Sequence, residues 1–97
     1  MKFRFHPEAL EEYEESALYY VAISPFVAKR FVDEIEAAIR RMRRHPRACS
    51  VIEDNIRRCL VKRFPFGIYY SLEADHILIV AIMHLSRMPG YWQDRIL

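Results

Sequence analysis

The chain has only two cysteines, Cys49 and Cys59. They show no CxxC spacing, and no histidine is placed to complete a zinc site. That excludes a disulfide framework, and two reduced thiols are the expectation. Long hydrophobic runs are missing as well. No stretch approaches the roughly 18 uncharged apolar residues of a membrane span, and Met1-Lys2-Phe3-Arg4-Phe5-His6-Pro7 contains no apolar core of a secretion signal. A cytoplasmic protein with no membrane partner is expected. Internal repeats, low-complexity tracts and domain linkers are lacking too, so the 97 residues read as one domain over 1–97. His6, His45 and His76 lie at element ends without partners at ligand spacing, so neither a metal nor another cofactor is expected.

What is present argues for a folded globule: 53% of residues are apolar and 29% charged, too apolar a balance for a disordered tail. The net charge of +2 hides a split. Through Glu36 there are 4 Lys/Arg against 8 Asp/Glu, a balance of −4; from Ala37 onward there are 11 against 5, a balance of +6. Clustered cations raise local potential and association rate, so the basic part suits an anionic partner or an acidic peptide. A merely solvated basic face has the same composition.

Periodicity divides the chain into elements. Lys2 to His6 alternates charged and apolar residues, the period of a half-buried strand. Pro7 suits the first turn of a helix, and Glu8, Glu11 and Glu12 complement the positive end of its dipole. A helix is expected over Pro7 to Val21, with Leu10, Tyr13, Ala17, Tyr20 and Val21 as its apolar stripe. Ser24-Pro25 is an N-cap and N1 pair that begins a second helix, which His45-Pro46 ends. A connection so short makes the two an antiparallel hairpin. After a polar linker from about Arg47 to Asn55, three strands follow: Ile56 to Arg63, Phe66 to Leu72, and Ile77 to Met83. The last is apolar at every position, as a strand covered on both faces must be. The result is an α+β fold of order β-α-α-β-β-β, with the helix hairpin packed on a small, mainly antiparallel sheet.

That order, read with particular residues, resembles the RelE/ParE toxin superfamily. Three places carry the resemblance. The helix hairpin reads Pro7-Glu8-Ala9, Tyr19-Tyr20 and Ala28-Lys29-Arg30-Phe31, closed by His45-Pro46. The middle has Arg57-Arg58 leading into Phe64-Pro65-Phe66-Gly67-Ile68-Tyr69-Tyr70. The end, from Ile82 to Arg95, contains His84-Leu85-Ser86-Arg87-Met88-Pro89-Gly90-Tyr91-Trp92, similar to the H-x-x-R-x-P-x-Y-W ending of ParE-like and plasmid-stabilisation members. The resemblance implies a toxin of a type II toxin–antitoxin system, neutralised in a hetero-oligomer by a cognate antitoxin whose flexible segment wraps it. Two targets are open, and a third reading is a superfamily member without toxicity that only binds its antitoxin. RelE-like members cut messenger RNA on the ribosome; ParE-like members poison DNA gyrase. A scaffold does not choose between them, because function sits in the site.

A metal-free ribonuclease must position a 2′-hydroxyl, move its proton and stabilise the phosphorane. The candidates are Arg58, Lys62 and Arg63 on the first strand after the linker, and His84, Arg87 and Tyr91 at the end of the last strand. Arg58 and Arg87 would hold phosphate, His84 would act as acid or base, and Tyr91 or Trp92 would stack on a base. Each has an ordinary alternative. His84 fits a hydrogen-bonded structural histidine, Arg58 and Arg63 fit partners of acids on the first helix, and Tyr91 and Trp92 fit a cover over the core. The strand Phe66 to Leu72 carries no lysine or arginine, which departs from the nuclease pattern and favours the ParE-like side.

Overall fold

The computed structural model describes residues 1–87 and 92–96. Strand β1 (Lys2–Phe5) leads into helix α1 (Pro7–Ile23), whose N-terminus is capped by His6: its Nδ1 accepts the Glu8 N–H at 3.1 Å, and Pro7 follows as the first helical residue. Helix α2 (Pro25–Arg44) begins one residue after α1 ends. Ser24 serves both. Its backbone N–H still bonds the Tyr20 carbonyl at 2.8 Å, while its hydroxyl accepts the Val27 N–H at 3.4 Å. Nothing before Ser24 breaks the helical pattern, so α1 runs two residues past the expected end at Val21. At the far end Arg41, Arg43 and Arg44 complement the dipole of α2, and His45-Pro46 terminates it.

The buried stripe of α2 is Ala28, Phe31, Ile35, Ala38, Ile39 and Met42. The stripe of α1 differs from expectation. Ala9 is its fully buried residue, with Tyr13, Ala17 and Tyr20 packed beside it, whereas Leu10 and Val21 remain 41% and 47% exposed. The small Ala9 side chain lets α1 seat closely on the sheet, which rotates the contact line by one residue away from Leu10.

Strands β2 (Ser50–Glu53), β3 (Ile56–Leu60), β4 (Phe66–Leu72) and β5 (His76–His84) complete a five-stranded sheet of order β1-β5-β4-β3-β2. β1 pairs parallel with β5, and all other pairs are antiparallel. The expected β-α-α-β-β-β order holds, with one addition: the polar linker contains β2, an edge strand exposed at every position. β5 lies inside the sheet between β1 and β4, as its continuous apolar sequence requires.

The core is asymmetric. Under the helices, Phe31, Ile35, Met42, Ile68, Tyr70, Ile77, Ile79 and Ile82 form the main cluster with α1 and α2. Burying each large aliphatic or aromatic side chain contributes about 1.5–3 kcal/mol. On the opposite face a smaller cluster gathers Ile56, Tyr69, Val80, Ala81 and Met83 under Trp92. A β-bulge separates the two halves of β5: Tyr70 pairs with Ile79 but Tyr69 pairs with Ala81, leaving Val80 as the extra residue. Among the described residues, no helix is long and apolar enough to cross a membrane.

Candidate functional site

The bulge decides which side chains share a site. Strict alternation from Ile77 would place His84 on the face opposite the helices. The extra residue at Val80 reverses the parity, so Ile82 points to the helices while Ala81 and Met83 point away. His84 follows Ile82. Its ring lies 5.4 Å from that of Phe66, edge to face, and it borders a cavity walled by Glu15, Tyr19, Tyr20 and Ile23 of α1. Its Nδ1 is engaged locally, at 3.1 Å from the Ser86 N–H and 2.7 Å from the Ser86 hydroxyl.

Arg58 and Arg87 border a different cavity of about 400 Å³, on the open face, together with Ile52, Glu53, Tyr69, Met83 and Trp92. Arg58 pairs with Tyr69 across β3 and β4 and directs its stem over Gly67. The glycine is needed there. A Cβ at position 67 would stand 3.2 Å from two carbons of the Arg58 stem and 3.0 Å from the Tyr69 ring. Among the described residues no acceptor meets the buried Arg58 Nε, which is uncommon for a polar group removed from water. Tyr69 and Trp92, 5.9 Å apart between ring centres, make the apolar floor. Glu53 supplies one acidic wall, held through both oxygens by the Gln93 side chain at 2.9–3.0 Å.

Arg58 and Arg87 thus border one cavity, with an Arg87 nitrogen also 3.9 Å from the Glu12 carboxylate of α1, and the other candidates lie elsewhere. Strand β3 stops at Leu60, so Lys62 and Arg63 belong to the bend after it rather than to the strand. Arg63 adopts φ 67° and pairs with Glu34 of α2. Trp92 is only 3% exposed and covers the smaller core, so it offers no face to a nucleobase. Tyr91 lies outside the described residues, as do Pro89 and Gly90. With a pair of guanidinium groups, an aromatic floor and one carboxylate, the cavity can hold an anionic group carried on an apolar or planar neighbour.

Two contributors were not foreseen. Tyr69 was accessible from the alternation of β4, which puts it opposite Ile68. Arg95 was not, since no local pattern joins it to residues more than 80 positions earlier. Its guanidinium meets Glu8 at 2.8 Å and both Glu12 oxygens at 2.9 and 3.0 Å, and donates to the Val80 carbonyl at 3.0 Å. Glu12 in turn accepts the Ile82 N–H at 3.1 Å. Between them these two side chains satisfy the edge of β5 beyond the end of β1 and bring the C-terminal 3-10 turn (Gln93–Ile96) down beside the cavity. Among the described residues, no group of three or more His, Cys, Asp or Glu is placed to hold a metal.

A solved structure described as the chromosomal ParDE TA system from P. aeruginosa superposes with a TM-score of 0.75 at 18% identity, covering 87% of this chain and 95% of that one. At that identity the likeness shows the fold. No match was found among curated proteins. The sequence itself goes further than the fold, for residues 3–89, from β1 through the helix hairpin and beyond the end of β5, match the family model of the ParE toxin of the type II toxin–antitoxin system, parDE, and the chain belongs to that family.

Proposed function

We propose that this protein is the growth-arresting toxin of a type II toxin–antitoxin pair, that it acts by binding, with DNA gyrase as its target, and that a cognate antitoxin neutralises it. One observation carries the choice of binding over cleavage. Arg58 and Arg87, the cations suited to a phosphate, share the open face, while His84, the candidate acid or base at that end of the sheet, stands on the helix side. A cleavage reaction needs phosphate ligands and a proton-transfer group within hydrogen-bond reach of one substrate. A binding surface needs only the arginines and their aromatic surroundings, the residue types that anchor interfaces.

The antitoxin segment suited to this surface is acidic and amphipathic, with a carboxylate for Arg58 and Arg87 and an apolar neighbour over Tyr69 and Met83. Its affinity falls as salt rises. The test sets gyrase supercoiling beside cleavage of ribosome-bound messenger RNA, using purified parent protein, Arg58→Ala and His84→Ala. Inhibition of supercoiling by the parent, retained in His84→Ala and lost in a folded Arg58→Ala, is the expected result. Messenger RNA cleavage by the parent, abolished in a folded His84→Ala, would transfer the protein to the RelE-like nucleases.

A further inference from the structure

The two cysteines stand far apart in the elements read from sequence, but the hairpin register brings them together. Ser50 pairs with Arg58 and Val51 with Arg57, and Cys49, the residue just before β2, continues that register towards Cys59 in the same apolar cluster. Directly opposed Cα atoms of an antiparallel pair are about 4.5–5.5 Å apart. That lies inside the window of about 4.4–6.8 Å that a disulfide spans. Both thiols face the helix side: Cys59 is buried in the main cluster, its Sγ 4.0 Å from the Ala38 carbonyl, and Cys49 packs against the same cluster half-buried.

The turn carrying Cys49 is held in this position from two sides. The Tyr70 hydroxyl donates to the Pro46 carbonyl at 2.8 Å, and Arg57 Nη1 donates to the carbonyls of Arg47 and Cys49 at 2.9 and 2.8 Å. Cys49 is therefore presented to Cys59 by contacts that do not involve either thiol. We propose that Cys49 and Cys59 form a reversible dithiol–disulfide pair that staples the turn before β2 to strand β3. The inference stands on the hairpin register and is independent of the target assigned above.

A small disulfide of the glutathione class serves as oxidant. The Cys49 thiol, the more accessible of the two, loses its proton to solvent and attacks one sulfur of the reagent, forming a mixed disulfide and expelling one thiolate. Cys59 then loses its proton and attacks the Cys49 sulfur, expelling the second. Two protein thiols are oxidised to one disulfide, and the reagent is reduced to two thiols. Burial, with Cys49 beside it, pushes the Cys59 thiol up to about 11, which assigns it the second step rather than the first. The staple would fix β2, an edge strand whose pairing is irregular between Val51 and Glu53 and whose Ile52 and Glu53 wall the open-face cavity.

The full chain, equilibrated in mixtures of reduced and oxidised glutathione, is quenched in acid, unfolded, alkylated and weighed. The expected product is a monomer that has lost two hydrogens and takes up no alkylating agent. Its thermal midpoint rises by about 5 °C or more over the reduced form, because the closed loop restricts the unfolded chain. In Cys59→Ala, which lacks the resolving thiol, Cys49 accumulates the glutathione adduct; in Cys49→Ser the buried Cys59 stays unmodified. Two alkylatable thiols in the oxidised mixture, a persistent glutathione adduct in the parent, a disulfide-linked dimer, or an unchanged midpoint on oxidation would each overturn the proposal.

Discussion

The two faces of the sheet use the same strands for different ends. The helix-covered face is closed by the hairpin, its side chains are mostly aliphatic or aromatic, and the buried Tyr70 hydroxyl finds a carbonyl partner. The open face has a smaller cluster, is roofed by Trp92, and leaves Arg58 with a buried nitrogen that none of the described residues satisfies. An unpartnered buried donor costs about 1–3 kcal/mol. Against a total stability of about 5–15 kcal/mol for a protein this size, that is a sizeable cost. The larger apolar cluster lies on the covered face, and the open face carries the smaller cluster and the unsatisfied donor, which is why the recognition proposed above is placed there.

The largest expected effect tests the first half of that division. Ile35→Ala or Ile79→Ala removes a fully buried side chain from the covered face and should cost about 2–5 kcal/mol, with toxicity lost through unfolding. Thermal or urea unfolding reads this directly. Unchanged midpoints would show that the covered face is not the seat of stability.

Arg95→Ala comes next. Its guanidinium bridges Glu8, Glu12 and the Val80 carbonyl with the side chain only 9% exposed. Loss of these charge-assisted hydrogen bonds should cost about 1.5–3 kcal/mol. Glu12→Gln alone should cost less. A double-mutant cycle between the two then gives a coupling energy, and a value near zero would show that the C-terminal turn is held by Trp92 instead.

Arg58→Ala separates the faces most directly. Its removal relieves the unsatisfied donor but gives up the stem packing over Gly67, opposing effects that should leave stability within about 1 kcal/mol, while antitoxin affinity drops at least about tenfold, or about 1.4 kcal/mol. Calorimetric titration with the antitoxin segment and a thermal melt of the same sample give both numbers. An intact affinity would move the recognition surface elsewhere. The smallest effect is expected for Arg63→Gly. It relieves the left-handed backbone at φ 67° and gives up an ion pair in which Arg63 is 63% exposed. The strain is worth about 1–2 kcal/mol and the exposed pair about 0–1 kcal/mol, and the added chain entropy of glycine offsets part of the gain. A net change within about 0.5 kcal/mol should result. A loss of toxicity in a folded Arg63→Gly would bring this residue back into the functional surface.

Local chemistry made the helix hairpin legible in the sequence. Pro7, Ser24-Pro25 and His45-Pro46 act within a turn of themselves, so their effect needs no knowledge of the rest of the chain. The strands β3, β4 and β5 were legible for a related reason, since burial imposes a period that the sequence must display. β2 was hidden because it is exposed at all four positions and so shows neither alternation nor an apolar run. The rotated stripe of α1 was hidden because Leu10 and Ala9 are both compatible with a helical period, and only the closeness of the sheet selects the smaller residue.

The sequence by itself therefore determined the fold class, the hairpin, the interior position of β5 and a basic C-terminal part, all of which follow from local propensity, periodicity and charge. Tertiary structure alone decided which functional candidates meet. A single extra residue at Val80 turns His84 to the helix side and keeps it from Arg58; Arg63 goes to Glu34; Arg95 reaches back to Glu8 and Glu12; Cys49 joins the apolar cluster of Cys59. The physical reason is the same in each case. Strand pairing fixes side-chain direction with a period of two, so register and bulges, which depend on contacts between distant segments, decide the face on which every side chain appears.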